Sequence, residues 1–216
     1  MFIAGAFGEL VGKYFLRHLP LYLALILLFV TGLGFGAVAT QQLSPVQKDD
    51  LANYISGFYS SLGDHYGQVA SSGEVFRESV MQNVVKTSGL IFLLGLTVIG
   101  APLILAVVFV RGFVLGFTVG FLVQETMVNG LVLSTTSILP HNLLVIPAMM
   151  IAAGGALSFS ATALKTLLGF SKDGIYGQFA STTFLALCSS FLFTLGALVE
   201  AYLTPILVQL GSRFLT

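Results

Sequence analysis

The chain has 216 residues, of which 56% are hydrophobic and 8% are charged, and its nine basic and nine acidic side chains cancel. A soluble domain carries about 25% charged residues, so an ordinary cytosolic protein is excluded. The sequence has no block of Lys and Arg, and nothing therefore favours nucleic acid as a partner. Cys188 is the only cysteine, which excludes an intramolecular disulfide and a multi-cysteine metal site.

The first 40 residues predict a membrane anchor. Residues 1–18 have the spacing of a short amphipathic helix lying on the membrane, and an apolar span follows from about Pro20 to Thr40. Residues 37–39 imitate a signal-peptidase site, but the apolar stretch before them exceeds the usual length of about 7 to 15 residues. We expect this segment to be a retained span.

Residues 41–88 form the only substantial polar segment, and we expect it to be extracytoplasmic. Ser44 to Gln47 has the pattern of a capping box and predicts a helix start. The helix then presents one apolar face, which is a candidate partner-binding surface or a cover for the ends of the membrane helices. That face includes Leu51, Tyr54, Ile55 and Phe58. A second start signal at residues 71–74 predicts a helix that can continue into span two.

Span two is predicted from Gly89 to Val110, with a very short turn at Arg111 before span three. Gly112, Gly116 and Gly120 recur every four residues, so they share one helix face and allow another backbone to approach closely. The partner helix belongs either to the same chain or to a second copy across a homodimer seam.

The run from Leu131 to Leu164 is too long for one straight crossing of about 20 residues. We expect a broken or re-entrant helix near Pro140, followed by a full span to about Leu164 and a fifth span from about Gln178 to Leu207. The predicted fold is all-α: a single integral membrane domain over residues 1–216, built as a polytopic bundle of about five spans with amphipathic helices on the outer face.

The distribution of Lys and Arg predicts the orientation. With a cytoplasmic N-terminus, five basic residues lie inside and four lie outside, and the first span usually dominates. We therefore expect the N-terminus in the cytoplasm and the C-terminus outside. The inner set is Lys13, Arg17, Arg111, Lys165 and Lys172, and the outer set is Lys48, Arg77, Lys86 and Arg213.

Under this topology, three ionisable residues fall toward the outer half of the membrane: Glu125, His141 and Glu200. Ionisable groups within a bilayer are candidates for function, and two carboxylates with an imidazole suit a divalent metal or a proton relay. A structural hydrogen-bond network and separate interfacial positions are the alternatives. The sequence contains no H-E-x-x-H or G-x-S-x-G motif and no phosphate-binding loop, so we expect no enzymatic activity and no cofactor other than such a metal.

Three stretches resemble the stage II sporulation protein M family of endospore-forming bacteria. The carriers are SPVQKDDLANYISGF at residues 44–58, GFVLGFTVGFLV at residues 112–123 and LPHNLLVIPA at residues 139–148. Many members of the wider family have a pattern like P-H-G-x-x-E-x-P-A at the third stretch. Here Asn142 replaces the glycine and Val145 replaces the glutamate, so this chain lacks the carboxylate that would accompany His141.

The resemblance implies a membrane scaffold in forespore engulfment. Such a protein would recruit two partners that degrade peptidoglycan, stage II sporulation proteins D and P, to the septal, engulfing membrane of the mother cell. In that interpretation the hydrolysis belongs to the partners, and segment 41–88 faces them. The broken helix near Pro140 and the intramembrane polar residues favour a different function, a transporter or permease subunit.

Overall fold

The computed structural model describes residues 16–51, 53, 72–170, 175–204 and 206, and for residues 72, 125–137 and 175 it describes the backbone. All regular structure in this part of the chain is helical, which confirms the all-α prediction. The helices are α1 (Leu19–Ala39), α2 (Ser72–Val80), α3 (Gly89–Gly95), α4 (Gly100–Ser137), α5 (Leu139–Leu167) and α6 (Ile175–Leu198). A π-helical segment, Met81–Ser88, joins α2 to α3, and a second one, Val199–Leu203, follows α6.

Within the part of the chain that the structure describes, four helical stretches are long and apolar enough to cross a membrane. They are Leu19–Gln42, Gly100–Gln124, Leu139–Leu167 and Tyr176–Leu203. The first and last of these agree with predicted spans one and five. A fifth helical rod, which we call the α2 rod, consists of α2, the first π-helical segment and α3. It runs from Ser72 to Gly95 and has four charged residues in its first fifteen positions.

The predicted second span is wrong in its limits. The chain turns at Leu96–Ile99, and Arg111 lies inside α4 rather than in a turn. A Cβ on Gly100 would meet the carbonyl oxygen of Leu94, so this turn requires a glycine there. Pro102 follows in the first turn of α4, where the missing N–H costs nothing. A charge in an apolar run often marks a membrane boundary, which is why the turn was predicted at Arg111.

The predicted break near Pro140 is confirmed. Helix α4 ends at Ser137, Ile138 separates it from α5, and Pro140 is in the first turn of α5. Residues 131–137 continue α4, so no separate short piece precedes the break. Pro147 lies within α5, which continues past it to Leu167.

Contacts between the helices define two ends of the bundle. Helices α1 and α4 run parallel, because Gly112 lies against Phe29 and Gly120 lies against Ala37. Helix α5 is antiparallel to both α1 and α6. The Thr40 end therefore contains Thr40, Gln124, His141 and Glu200. The His18 end contains His18, Thr97, Ser158, Ser160 and Gln178.

The glycine face of α4 packs on α1. A Cβ on Gly112 would meet the carbonyl of Phe29, one on Gly116 would meet the carbonyl of Leu33, and one on Gly120 would lie 3.1 Å from Ala37 Cα. Helix α1 contributes Gly32 and Gly36 to the same contact. Small residues on both helices let the two backbones approach closely. Of the two partners considered from the sequence, the structure places a helix of the same chain on this face.

The segment after α1 begins as predicted. Ser44 N–H donates to Gln47 Oε1 at 3.0 Å and Gln47 N–H donates to Ser44 Oγ at 3.4 Å, which is the reciprocal pattern of a capping box. Residues 45–51 are helical. Lys48 Nζ donates to Gln124 Oε1 at 3.4 Å, and Gln124 Nε2 donates to Thr40 Oγ1 at 2.7 Å. These bonds hold the start of the polar segment against the Thr40 end.

Candidate functional site

Five polar side chains meet near the Thr40 end of the bundle, and we call them the polar cluster. They come from α2, the first π-helical segment, α4, α5 and the second π-helical segment. In that order they are Ser79, Asn83, Arg111, His141 and Glu200.

The carboxylate of Glu200 joins three helical rods. Its Oε2 accepts the hydroxyl of Ser79 at 2.5 Å and lies 3.2 Å from His141 Nδ1. His141 Nδ1 also lies 3.3 Å from the carbonyl oxygen of Gly196. Both neighbours of Nδ1 are acceptors, so this nitrogen carries a proton and donates it. The carboxylate thus connects α2 and α5 to the end of α6.

Arg111 enters the cluster from α4. Its Nη2 donates to Asn83 Oδ1 at 3.2 Å, and Asn83 Nδ2 donates to the carbonyl of Ser79 at 3.1 Å and to Ser79 Oγ at 3.3 Å. The backbone of Arg111 is eleven residues past Gly100, about 16 Å along the helix. Through Asn83 and Ser79, the guanidinium is linked to the Glu200 carboxylate.

Both π-helical segments contribute to this cluster, since Asn83 lies in the first and Glu200 in the second. A π turn contains an extra residue and changes the direction in which side chains project, and such turns are frequent at functional sites. Further along the same rod, Ser88 Oγ lies 3.4 Å from Ser189 Oγ and 3.3 Å from Ser190 Oγ. Polar contacts between α6 and the α2 rod therefore continue from the cluster toward the His18 end.

A cavity of about 230 Å³ adjoins the cluster. All five cluster residues line it, together with Val75, Glu78 and Gln82 of the α2 rod. Glu78 and Gln82 are exposed, whereas the side chain of His141 is only 11% exposed. The cavity thus extends from the protein surface beside α2 to the buried side of His141.

The arrangement does not match a hydrolase triad. In such a triad the serine hydroxyl bonds the histidine, which in turn bonds the carboxylate. Here Ser79 and His141 both bond Glu200, so the imidazole is not placed to take a proton from the serine. Within the described residues, no group of three or more His, Cys, Asp or Glu side chains is placed to hold a metal ion.

The structure brings together two of the three predicted intramembrane residues. His141 and Glu200 are in contact, while Glu125 lies in α4 within the range where the backbone alone is described. The carboxylate that contacts His141 therefore comes from the π-helical segment after α6 and not from position 145. Val145 itself is buried against Gly196, with its Cγ2 3.1 Å from a Cβ built on that glycine.

Three cluster residues were missed as site residues. Arg111 was assigned to a turn, and Ser79 and Asn83 were not distinguished from the rest of the polar segment. Ser79 and Asn83 are four residues apart, which places them on one face of the α2 rod. This spacing was the sequence feature that could have identified them as site residues. Of the predicted partner-binding residues, Leu51 is helical and half-buried, and Tyr54, Ile55 and Phe58 lie outside the described residues.

Comparison with known proteins identifies the family. No curated protein and no solved structure matches the chain. The family model described as stage II sporulation protein M matches residues 25–205, which include most of α1, the whole polar cluster and the second π-helical segment. The chain therefore belongs to the stage II sporulation protein M family, a family of sporulation-related membrane proteins.

Proposed function

We propose that this protein is a non-enzymatic membrane scaffold in forespore engulfment. It recruits the peptidoglycan-degrading stage II sporulation proteins D and P to the septal, engulfing membrane of the mother cell. The Thr40 end faces the space outside the cytoplasm, where the partners act on the cell wall. The N-terminus is cytoplasmic and the C-terminus is outside.

One observation carries the proposal: the ionisable groups of the polar cluster are used to connect helices. Glu200 links α2, α5 and the end of α6, and Arg111 connects α4 to them through Asn83. A polar group inside a bundle that is tied to neighbouring helices stabilises the arrangement of those helices. Charged groups that connect helices are consistent with a rigid scaffold rather than with a catalytic centre.

The Thr40 end also displays a polar surface. Charged residues on the exposed side of the α2 rod include Arg77, Glu78 and Lys86, and the capped segment from Ser44 is bonded to the end of α4 through Lys48. An exposed surface that is fixed to the bundle can position a partner at a set distance from the membrane. In this proposal the apolar face with Leu51, Tyr54, Ile55 and Phe58 contacts the partners.

Recruitment tests the proposal. Leu51→Asp places a charge on the apolar face, and we expect tagged proteins D and P to lose their septal localisation while the variant still reaches the membrane at normal abundance. Asp49→Lys is the matched control, because it changes a charge on an exposed position of the same helical segment. Normal recruitment by Leu51→Asp would remove this face from the proposal.

Orientation has its own test. With Arg111 inside α4, the Lys and Arg count is four on each side, so the proposal depends on Lys13 and Arg17 before the first span. In a Cys188→Ser background, we expect a membrane-impermeant thiol reagent to label Val46→Cys on intact cells. We expect Phe170→Cys, near the His18 end, to be labelled after permeabilisation. The opposite pattern places the partner surface in the cytosol and contradicts the proposal.

The cavity beside the polar cluster favours a second candidate, a transporter or permease subunit. A polar cavity of about 230 Å³ between helices is the kind of site at which substrates bind in transporters. This candidate predicts that Arg111→Gln and His141→Ala abolish function at normal protein abundance and with proteins D and P still recruited. Sporulation that proceeds normally in these variants would contradict it.

A further inference from the structure

Arg111 has more hydrogen-bond donors than the described residues satisfy. A guanidinium has five N–H donors in a rigid fork. The bond from Nη2 to Asn83 Oδ1, at 3.2 Å, uses one of them. No carboxylate of the described residues lies within ion-pair distance of Arg111, although Glu200 is near enough for its charge to act on it. The remaining donors need acceptors, because an unpaired charge is costly inside a bilayer.

Glu200 has hydrogen-bond acceptor sites that the described residues do not use. Its Oε2 accepts from both Ser79 and His141, and its Oε1 accepts from none of the described residues. The side chain is 39% exposed and lines the same cavity as Arg111. One wall of the cavity thus offers N–H donors with a positive charge, and another offers an acceptor with a negative charge.

The cavity has room for a small molecule and a way in. A volume of about 230 Å³ corresponds to roughly eight water molecules at about 30 Å³ each. Val75, Glu78 and Gln82 line it from the exposed flank of the α2 rod, so it can be reached from outside the bundle. Purely anionic ligands are disfavoured because Glu78 and Glu200 both line the cavity, whereas a ligand with both charges complements it.

We propose that this cavity binds a zwitterionic group, with an anionic oxygen on the guanidinium of Arg111 and an ammonium on the carboxylate of Glu200. A planar fork that faces an anionic oxygen makes charge-assisted, bidentate hydrogen bonds. A phosphoethanolamine group has this chemistry, either as the headgroup of a phospholipid from the Thr40-end leaflet or as a free small molecule. The site is distinct from the proposed partner face with Leu51, so binding at the cavity and recruitment of partners can be measured separately.

Binding to the purified full-length protein tests the site. The probes are free phosphoethanolamine, inorganic phosphate and ethanolamine in detergent, and nanodiscs of phosphatidylglycerol with or without phosphatidylethanolamine. Thermal unfolding is followed by the helical circular dichroism signal, and bound lipid is detected by native mass spectrometry. We expect the zwitterionic probe in at least one of these two forms to raise Tm, and phosphate and ethanolamine alone to leave Tm unchanged. A response to the lipid alone identifies a headgroup site, and a response to free phosphoethanolamine identifies a small-molecule site.

Variants locate the binding. Arg111→Gln should weaken binding about tenfold or more, since it removes a charge-assisted bond. Val75→Phe should block the cavity without changing any of the cluster's hydrogen bonds, so it remains informative if Arg111→Gln does not fold. Arg77→Gln is the matched control, because it removes an exposed cation of the α2 rod that does not line the cavity. The proposal is overturned if no zwitterionic probe changes the Tm of the wild type, or if the change survives Val75→Phe.

Discussion

Two of the interfaces between the described helices use opposite chemistry. Where α1 meets α4, glycines on both helices allow backbone contact, with Gly32 and Gly36 on one side and Gly112 and Gly116 on the other. Where the α2 rod meets α5 and α6, hydrogen bonds between side chains join the helices, with Glu200 at the centre. The first interface depends on glycines, which have no Cβ atom and so let the backbones touch. The second depends on hydrogen bonds between specific polar side chains.

The difference matters because the two interfaces fail in different ways. A methyl group added to a backbone contact must move a whole helix, since a carbonyl group cannot rotate away. Removing a polar atom from a hydrogen-bonded interface leaves its partner unsatisfied, but the surrounding helices keep their places. Substitutions at the glycine interface should therefore have larger effects than those at the polar interface.

The largest effect is expected at Gly36. A Cβ there would meet the carbonyl oxygen of Phe113 and would lie 2.7 Å from Phe117 N, whereas a Cβ on Gly34 of the same helix has open space. We expect Gly36→Ala to cost about 3 kcal/mol, at the upper end for overpacking. Gly34→Ala, the matched control, should be neutral. Thermal unfolding in detergent micelles measures both, and equal Tm values for the two variants would show that α1 and α4 do not pack in this way.

A smaller effect is expected when the Glu200 contact is broken. Glu200→Ala should cost about 1–3 kcal/mol, the range for leaving a buried polar group unsatisfied, because buried Ser79 and the largely buried His141 lose their acceptor. His141→Ala should cost less, because the side chain of Glu200 is 39% exposed and water can replace the imidazole. Because the two side chains are in contact, the double variant should cost less than the sum of the single variants. Lys86→Gln, at an exposed position of the same rod, should change stability little. Strict additivity would argue against a direct contact.

Below the cluster, the serine contact should contribute less still. Ser189 is buried with its Oγ 3.4 Å from Ser88 Oγ, and hydrogen bonds between membrane helices are worth about 0.6 kcal/mol on average. We expect Ser189→Ala to lower the free energy of unfolding by about that amount. Ser189 Oγ also donates to the carbonyl of Ala186 in its own helix, so Ser181→Ala is the matched control, because that hydroxyl makes the corresponding bond to the carbonyl of Gly177. An equal loss of stability in Ser181→Ala would show that the interhelical contact does not account for the effect of Ser189→Ala.

The smallest effect is expected for the dependence of stability on pH that arises from His18. Burial, with a further contribution from the charge of Arg17, lowers the pKa of His18 below its usual 6.5. Below pH 6.5 the unfolded chain therefore binds a proton at this position that the folded chain does not yet bind, so stability falls as the pH falls. His18→Gln should flatten the dependence of Tm on pH between 6.5 and the lowered pKa. An unchanged slope in that variant would exclude His18 as its source.

Local patterns were sufficient for much of the fold. The low charge and long apolar runs determined an all-helical membrane protein, because a bilayer requires each backbone polar group to be satisfied within its own segment. The capping box at Ser44, the helix break beside Pro140 and the single glycine face of α4 also follow from residues close in sequence. Each of these features depends on the chain within a few residues, which is the range over which a pattern can be interpreted.

Only the tertiary structure decided where Arg111 lies and what His141 contacts. A charge in an apolar run is compatible with a turn or with a buried partner, and the choice depends on Asn83, which is 28 residues earlier in the chain. The contact between His141 and Glu200 joins residues 59 positions apart. No periodicity extends across such separations, because the pairing is set by how α5 and α6 pack side by side.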